Sequence, residues 1–262
     1  MKIIVCIKQV PETTNVKIDP EKGTLIREGV DSIINPFDMY AIEEGLRIKE
    51  RLGEGEVIII SMGPPQAEQA LREAISMGAD SAVLITDRKL AGSDTWATSY
   101  TLARAIEKIG DYNLILCGKQ AIDGDTAQVG PGISSWLDIP QVTYVKKIRQ
   151  ITKDKAVVER MTEEGFDVIE TPLPALFTVV KEINEPRLPS LKGKLRAKKM
   201  EIPVWGVEDL GLEDDKIGLN GSPTRVVKIF TPPPREKGMI LKGQPQEAVD
   251  KLVEKLKDVV IR

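Results

Sequence analysis

The stretch Gly118-Lys119-Gln120-Ala121-Ile122-Asp123-Gly124-Asp125-Thr126-Ala127-Gln128-Val129-Gly130-Pro131-Gly132 holds the densest set of residues suited to chemistry. It follows the apolar run Leu114-Ile115-Leu116-Cys117 and precedes a mixed stretch that can wind as a helix toward Leu137. A glycine-rich bend between a strand and a helix presents backbone N–H groups, and the helix start adds about half a positive charge, so an anion can dock there without a lysine. No Gly-Lys-Ser/Thr follows the glycines, so this is not a Walker A loop, and the spacing is not that of a dinucleotide GxGxxG. A surface bend without a ligand accounts for the glycines equally well; the place after a parallel-type strand is what favours binding. Thr126, Gln128 and the amides near Gly124 suit a phosphate. Asp123 and Asp125 would repel one and suit backbone amides, a ribose hydroxyl, a partner or plain Asx turns. Lys119 could reach phosphates, lie over a ring or stay in solvent.

The remaining chemistry is bounded by what the chain contains. Of 262 residues 37 are basic and 40 acidic, giving a net charge of −3, and 4% are aromatic, which argues against a nucleic-acid partner. The absence of histidine removes imidazole bases, His metal ligands and any Ser-His-Asp arrangement within the chain. Glu163-Glu164 and Asp214-Asp215 sit in turn-like or arm-like stretches, so paired-carboxylate catalysis is not expected. The two cysteines, Cys6 and Cys117, lie in apolar runs and read as buried thiols of a reducing compartment. Lys8 and Gln9 end the first apolar run without a cleavage site, and no run approaches membrane-spanning length. The expectation is a cytoplasmic protein with no membrane insertion.

The elements that must carry these residues alternate strand and helix. Apolar runs at 3–7, 57–61, 81–86 and 114–117 read as central strands, each followed by a helical pattern, which predicts a mostly parallel α/β sheet with right-handed crossovers. Between the first strand and its helix, residues 15–18 and 24–27 read as a short hairpin around Asp19-Pro20. The first helix opens at Asn35-Pro36-Phe37-Asp38, where Asn35 can cap, Pro36 suits the first position and Asp38 complements the dipole, and it should end near Gly53. Gly63, after Met62, permits close backbone approach; Met39 and Met62 read as core filler. Ser93 or Asp94, before Thr95, caps the third helix. If the strand-end loops at Lys8, Asn35 to Asp38, Met62-Gly63, Asp94-Thr95 and 118–129 converge, they outline one nucleotide cleft.

After Pro140 the pattern turns to β segments at 142–151, 156–161 and 166–169, with a last buried strand at 175–180. A boundary is placed at 183/184. From there on, prolines and clustered charges predict either disorder or an arm laid on something else, and Val204, Trp205, Val207, Leu210 and Ile229-Phe230 favour the arm. A terminal amphipathic helix over 246–259, with Ala248, Val249, Leu252, Val253 and Leu256 on one face, reads as an anchor.

Several motifs in one order resemble the small, or beta, subunit of electron transfer flavoproteins over essentially the whole chain. They are Cys6-Ile7-Lys8-Gln9-Val10-Pro11, Asn35-Pro36-Phe37, the Gly118 to Gly130 stretch, and Val158-Glu159-Arg160 through Glu163-Glu164-Gly165-Phe166 to Pro174-Ala175-Leu176. The resemblance implies a three-layer, adenine nucleotide alpha-hydrolase-like (Rossmann-like) fold over 1–183. Residues 184–262 would then be a recognition loop, arm and helix that pack on a large (alpha) subunit carrying its own FAD. It implies a cleft built from Cys6, Lys8, Asn35 to Asp38, Met62, Gly63, Asp94, Thr95 and Gly118 to Gly130, holding structural AMP in simple members and a second FAD in electron-bifurcating ones. Residues 24–29, 91–100, Gly124 and 126–130 look like the bifurcating type, so FAD is favoured over AMP. NADH is then the donor, and electrons pass to the large-subunit FAD with an acyl-CoA or related dehydrogenase, and to ferredoxin or flavodoxin. The family's dehydrogenase-recognition loop resembles 184–192, with Leu188 as the apolar tip and Lys192 and Lys194 beside it. No catalytic side chain is implied, because the redox chemistry resides in the flavin. A stand-alone nucleotide-binding regulatory protein is the reading from another class.

Overall fold

The computed structural model describes residues 1–12, 17–18, 25–26, 32–227 and 238–260. The chain opens with β1 (Lys2–Cys6), β2 (Gln9–Pro11), β3 (Lys17–Ile18), β4 (Leu25–Ile26) and β5 (Ser32–Ile34). It continues through α1 (Pro36–Leu52), β6 (Glu56–Met62), α2 (Glu68–Met77), β7 (Ser81–Ile85), α3 (Thr95–Ile109), β8 (Leu114–Gly118) and α4 (Val129–Leu137). Then come β9 (Gln141–Ile151), β10 (Lys155–Met161), β11 (Phe166–Pro172) and β12 (Ala175–Val179), followed by α5 (Leu191–Lys199), β13 (Val204–Trp205), α6 (Val207–Leu210) and α7 (Pro245–Val260). The excursion after β1 forms the expected hairpin in its described part, β3 pairing antiparallel with β4. Residues 24 and 27–29, compared above with the bifurcating type, lie outside the described residues.

Nine strands form one sheet in the order β11-β10-β9-β12-β8-β1-β6-β7-β13. The centre is parallel, and at one edge β10 pairs antiparallel with both β9 and β11, so that β10 alone among the described strands of the sheet is reversed. The unbroken apolar runs follow from burial on both faces. In β1, Ile3 and Val5 enter one core with residues of α1, α2 and α5, while Ile4 and Cys6 enter the other with residues of α3, α4 and α6. This is the three-layer α/β fold expected. From β1 the chain steps outward through β6 to β7, then returns to the opposite side of β1 as β8. The crevice between the carboxyl ends of β1 and β8 is therefore the topological switch point, where open α/β sheets receive ligands.

The structure differs from the sequence reading after residue 183. Residues 184–227 belong with the sheet domain, and the division by contacts falls between Val227 and Lys228. The Arg196 guanidinium donates to the carbonyls of Ile75, at 3.0 Å, and Ala79, and Arg72 donates to those of Ala197 and Met200, which seals α5 on α2. Val204 and Trp205, read as part of an arm, add β13 parallel to β7. Local proline and charge content hid this because the partners are carbonyls of a helix more than a hundred residues earlier. The second unit, residues 228–262, contributes α7, whose Val249, Leu252, Val253 and Leu256 are exposed. Ile229 and Phe230 lie outside the described residues. No described helix is long and apolar enough to cross a membrane.

Candidate functional site

The first turn of α1 is built into the switch point. Asn35 makes no side-chain cap, contrary to expectation. Its amide reaches across instead: Nδ2 donates to the Gln120 carbonyl at 2.8 Å, and Oδ1 accepts from the Ile122 amide at 3.1 Å. Pro36 takes the first helical position, and Gly53 closes the helix in the left-handed region as expected. Asp38 does more than complement a dipole. It is buried, and its carboxylate accepts from the Lys8 amide at 2.7 Å and the Gly118 amide at 3.2 Å, so one side chain bridges the ends of β1 and β8. Burial pushes its carboxyl up to about 7, against the lowering effect of its hydrogen bonds. Gly118 is required here, since a Cβ would sit 2.3 Å from Asp38 Oδ1 and 2.7 Å from the Phe37 side chain.

Beyond Gly118 the bend is pinned from several sides. The Lys119 amide donates to the Val179 carbonyl at 2.8 Å, and its ammonium lies 5.4 Å from the Phe37 ring centre and 5.5 Å from that of Tyr144, so it stacks over rings. Ala121 accepts from the Asp125 amide at 2.9 Å, Gln120 bonds the Asp125 carboxylate, and the Lys8 ammonium bonds both oxygens of Asp123 at 2.6 and 2.8 Å. Asp125 and Ala127 adopt φ of 54° and 55°, which turns the chain sharply into α4. A Cβ at Gly130 would lie 2.6 Å from Thr178, so the start of α4 lies close against β12. Among the described residues the amides from Thr126 to Gly130 have no acceptor within the chain. That leaves a row of N–H donors at a helix start, the arrangement an anionic phosphate or pyrophosphate fits.

The structure thus brings together Cys6, Lys8, Asn35, Pro36, Phe37, Asp38 and the stretch from Gly118 to Gly130. Met62 ends the neighbouring β6 and Gly63 follows it, and Gln9 Nε2 reaches over to the Gln66 carbonyl at 3.3 Å. Asp94 caps α3 as expected, its Oδ1 accepting from the amides of Trp96 and Ala97. Its Oδ2 accepts from the Thr224 amide and hydroxyl at 2.9 and 2.8 Å. Burial raises this carboxyl, but the bonds from Thr224, Ala97 and Trp96 outweigh it and hold it below the usual range. The carboxylate of Asp94 is therefore committed within the chain, beside Thr95. Sequence reading missed Tyr144, Thr178 and Val179, which wall the bend from β9 and β12. Tyr144 stands at φ 58°, a conformation that a tyrosine does not advertise in sequence. Glu163 and Glu164 fall in the β10–β11 turn, as expected.

Comparison with known proteins gives concordant results. Residues 22–210 match the electron transfer flavoprotein domain. The chain is 55% identical to the electron transfer flavoprotein subunit beta of Thermoanaerobacterium thermosaccharolyticum over 98% of both chains. It is 51% identical to the caffeyl-CoA reductase-Etf complex subunit CarD of Acetobacterium woodii, again over 98% of both. Identity to protein FixA of Bradyrhizobium diazoefficiens is 47%, covering 95% of this chain and 88% of that one.

Proposed function

The chain belongs to the electron transfer flavoprotein family, as a small (beta) subunit, and from that premise we propose that its switch-point cleft holds an FAD doing redox work. The observation that carries the reading is the row of unpaired amides from Thr126 to Gly130 behind a bend latched to α1 by Asn35 and Asp38. Those amides would hold the pyrophosphate, and Lys8, Phe37 and Lys119 would border the rest of the nucleotide. Bound there, the flavin would supply hydride acceptance from NADH and one-electron delivery. The chain's own work is to bind it, orient it and fix the polar groups around it. Electrons would leave the complex in two directions: to the large-subunit FAD with its acyl-CoA or related dehydrogenase, and to ferredoxin or flavodoxin. The relative named for a caffeyl-CoA reductase-Etf complex supports a CoA-ester enzyme as one partner. The location would be cytoplasmic.

The second reading keeps the same cleft and places structural AMP in it. Denaturing extraction of nucleotides from the purified heterodimer decides between them: two FAD are expected, and one FAD with one AMP would overturn the redox assignment. Leu188 is 89% exposed on the segment before α5, with Leu191 and Leu195 also exposed, which supports a docking role for this face. Leu188→Ala is expected to weaken transfer to the dehydrogenase several-fold while NADH-driven flavin reduction stays nearly intact. Equal loss of both would remove the loop from this role.

A further inference from the structure

We propose that Cys6 and Cys117 are an oxidisable pair, a modification site beneath the cleft that closes to a disulfide when hydrogen peroxide reaches it. The two residues are in register on adjacent parallel strands, β1 and β8, at the switch point. In-register neighbours send their side chains to the same face, and both thiols enter the same core. Both are buried near the carboxyl ends of these strands. Ile3, Ile4 and Val5 before Cys6, and Leu114, Ile115 and Leu116 before Cys117, are 0% exposed, while Cys6 is 7% and Cys117 6% exposed. The neighbouring Cys6 side chain, burial and the Asp38 carboxylate together hold the Cys117 thiol well above its ordinary range.

The chemistry balances with peroxide as oxidant. The Cys6 sulfur, as thiolate, attacks one peroxide oxygen, the O–O bond breaks, and hydroxide leaves a sulfenic acid. The Cys117 sulfur then attacks the Cys6 sulfur, the S–O bond breaks, and the departing hydroxide carries away the thiol proton as water. Overall two thiols and one peroxide give one disulfide and two waters, with both sulfurs oxidised and the peroxide reduced.

Such a bond would be felt directly above. In-register Cβ atoms on parallel strands stand at about the strand spacing of 4.8 Å, whereas a relaxed disulfide holds its Cβ atoms about 3.8 Å apart, so closure draws the two Cβ atoms together by roughly 1 Å and tilts the ends of β1 and β8. Gly118 follows Cys117, Lys8 lies two residues past Cys6, and both amides hold Asp38. A strained bond of this kind is readily reduced again, as suits a reversible modification. The loosened Asp38 latch then lowers retention of the bound nucleotide. This last effect rests on the proposed cleft; the disulfide does not.

The test treats the purified heterodimer with hydrogen peroxide, quenches with an alkylating reagent under denaturing conditions and maps the cysteine peptides by mass spectrometry. A cross-linked peptide pair joining Cys6 to Cys117 is expected, lost on adding dithiothreitol and absent in Cys6→Ser and in Cys117→Ala. Two alkylated cysteines after peroxide, or one sulfinate with the other thiol free, would overturn the site. The oxidised complex is also expected to release nucleotide several-fold faster than the reduced one. Cross-linking without a change in release would refute the coupling to the cleft while leaving both the disulfide and the nucleotide assignment standing.

Discussion

Single residues set the conditions at the switch point, and Asp38 carries the sharpest consequence. Its carboxyl is pushed up to about 7 by burial, above the unfolded value near 4, so the native state binds the proton more tightly. Stability from this group is fully present below about pH 4 and is lost as pH rises through 7. Asp38→Asn removes that titration. The stability advantage of the wild-type chain over this variant is expected to shrink by roughly 2 kcal/mol between pH 5 and 7, read by denaturant unfolding at each pH. An unchanged difference would mean that Asp38 keeps one charge state throughout. Part of this was legible: Asn35-Pro36-Phe37-Asp38 announces a helix start, and the glycines announce a bend. Sequence could not show that Asn35 abandons its capping role for Gln120 and Ile122, because a cap is a local choice and this bond spans more than eighty residues.

At the scale of elements, α1 joins the candidate cleft to the candidate docking segment. Seventeen residues make a rod of about 25 Å. Its first turn holds the strand ends, and farther along Glu43 and Glu50 grip Arg187, with Glu43 Oε2 accepting from Arg187 Nε at 2.7 Å and from the Arg187 amide at 3.1 Å. Asn184 adds a bond to the Tyr40 carbonyl at 3.0 Å. Burial alone would raise the Glu43 carboxyl, but Arg187 and Arg47 pull it below the usual range. Leu188 therefore stands on a segment anchored to the same helix that shapes the candidate cleft. Arg187→Gln leaves the 3%-exposed Glu43 side chain with less compensation, and a loss of about 2 kcal/mol is expected, with faster amide exchange over 185–190. Adding Glu43→Gln should recover much of the loss; an additive double variant would show that the two groups act independently. The strand-helix alternation was readable because each run is buried on both faces. The place of α5 was not, since its fixation depends on Arg196 meeting carbonyls at the end of α2.

For the whole molecule, the chain divides into two units, residues 1–227 and 228–262. The sheet domain is complete through Val227, whereas α7 in the second unit shows four apolar side chains near half exposure, as a helix awaiting a surface would. Replacing Leu252 and Leu256 by Glu is expected to weaken heterodimer formation at least tenfold by analytical ultracentrifugation, with the sheet domain's unfolding midpoint unchanged; a drop in that midpoint would place α7 in the fold instead.

The two-residue strand β13 has a reach beyond its size. The Leu84 amide donates to the Pro203 carbonyl and the Thr86 amide to that of Trp205, at 2.9 and 3.0 Å, so the rim of the parallel sheet is already taken. An open rim made of Ser81-Ala82-Val83-Leu84-Ile85 would be an adhesive template for other chains, the first step toward fibrous or amorphous precipitate. Residues 203–205 act as a molecular doorstop against self-adhesion. A chain ending at residue 183 is expected to scatter light on standing at concentrations where the full chain stays clear.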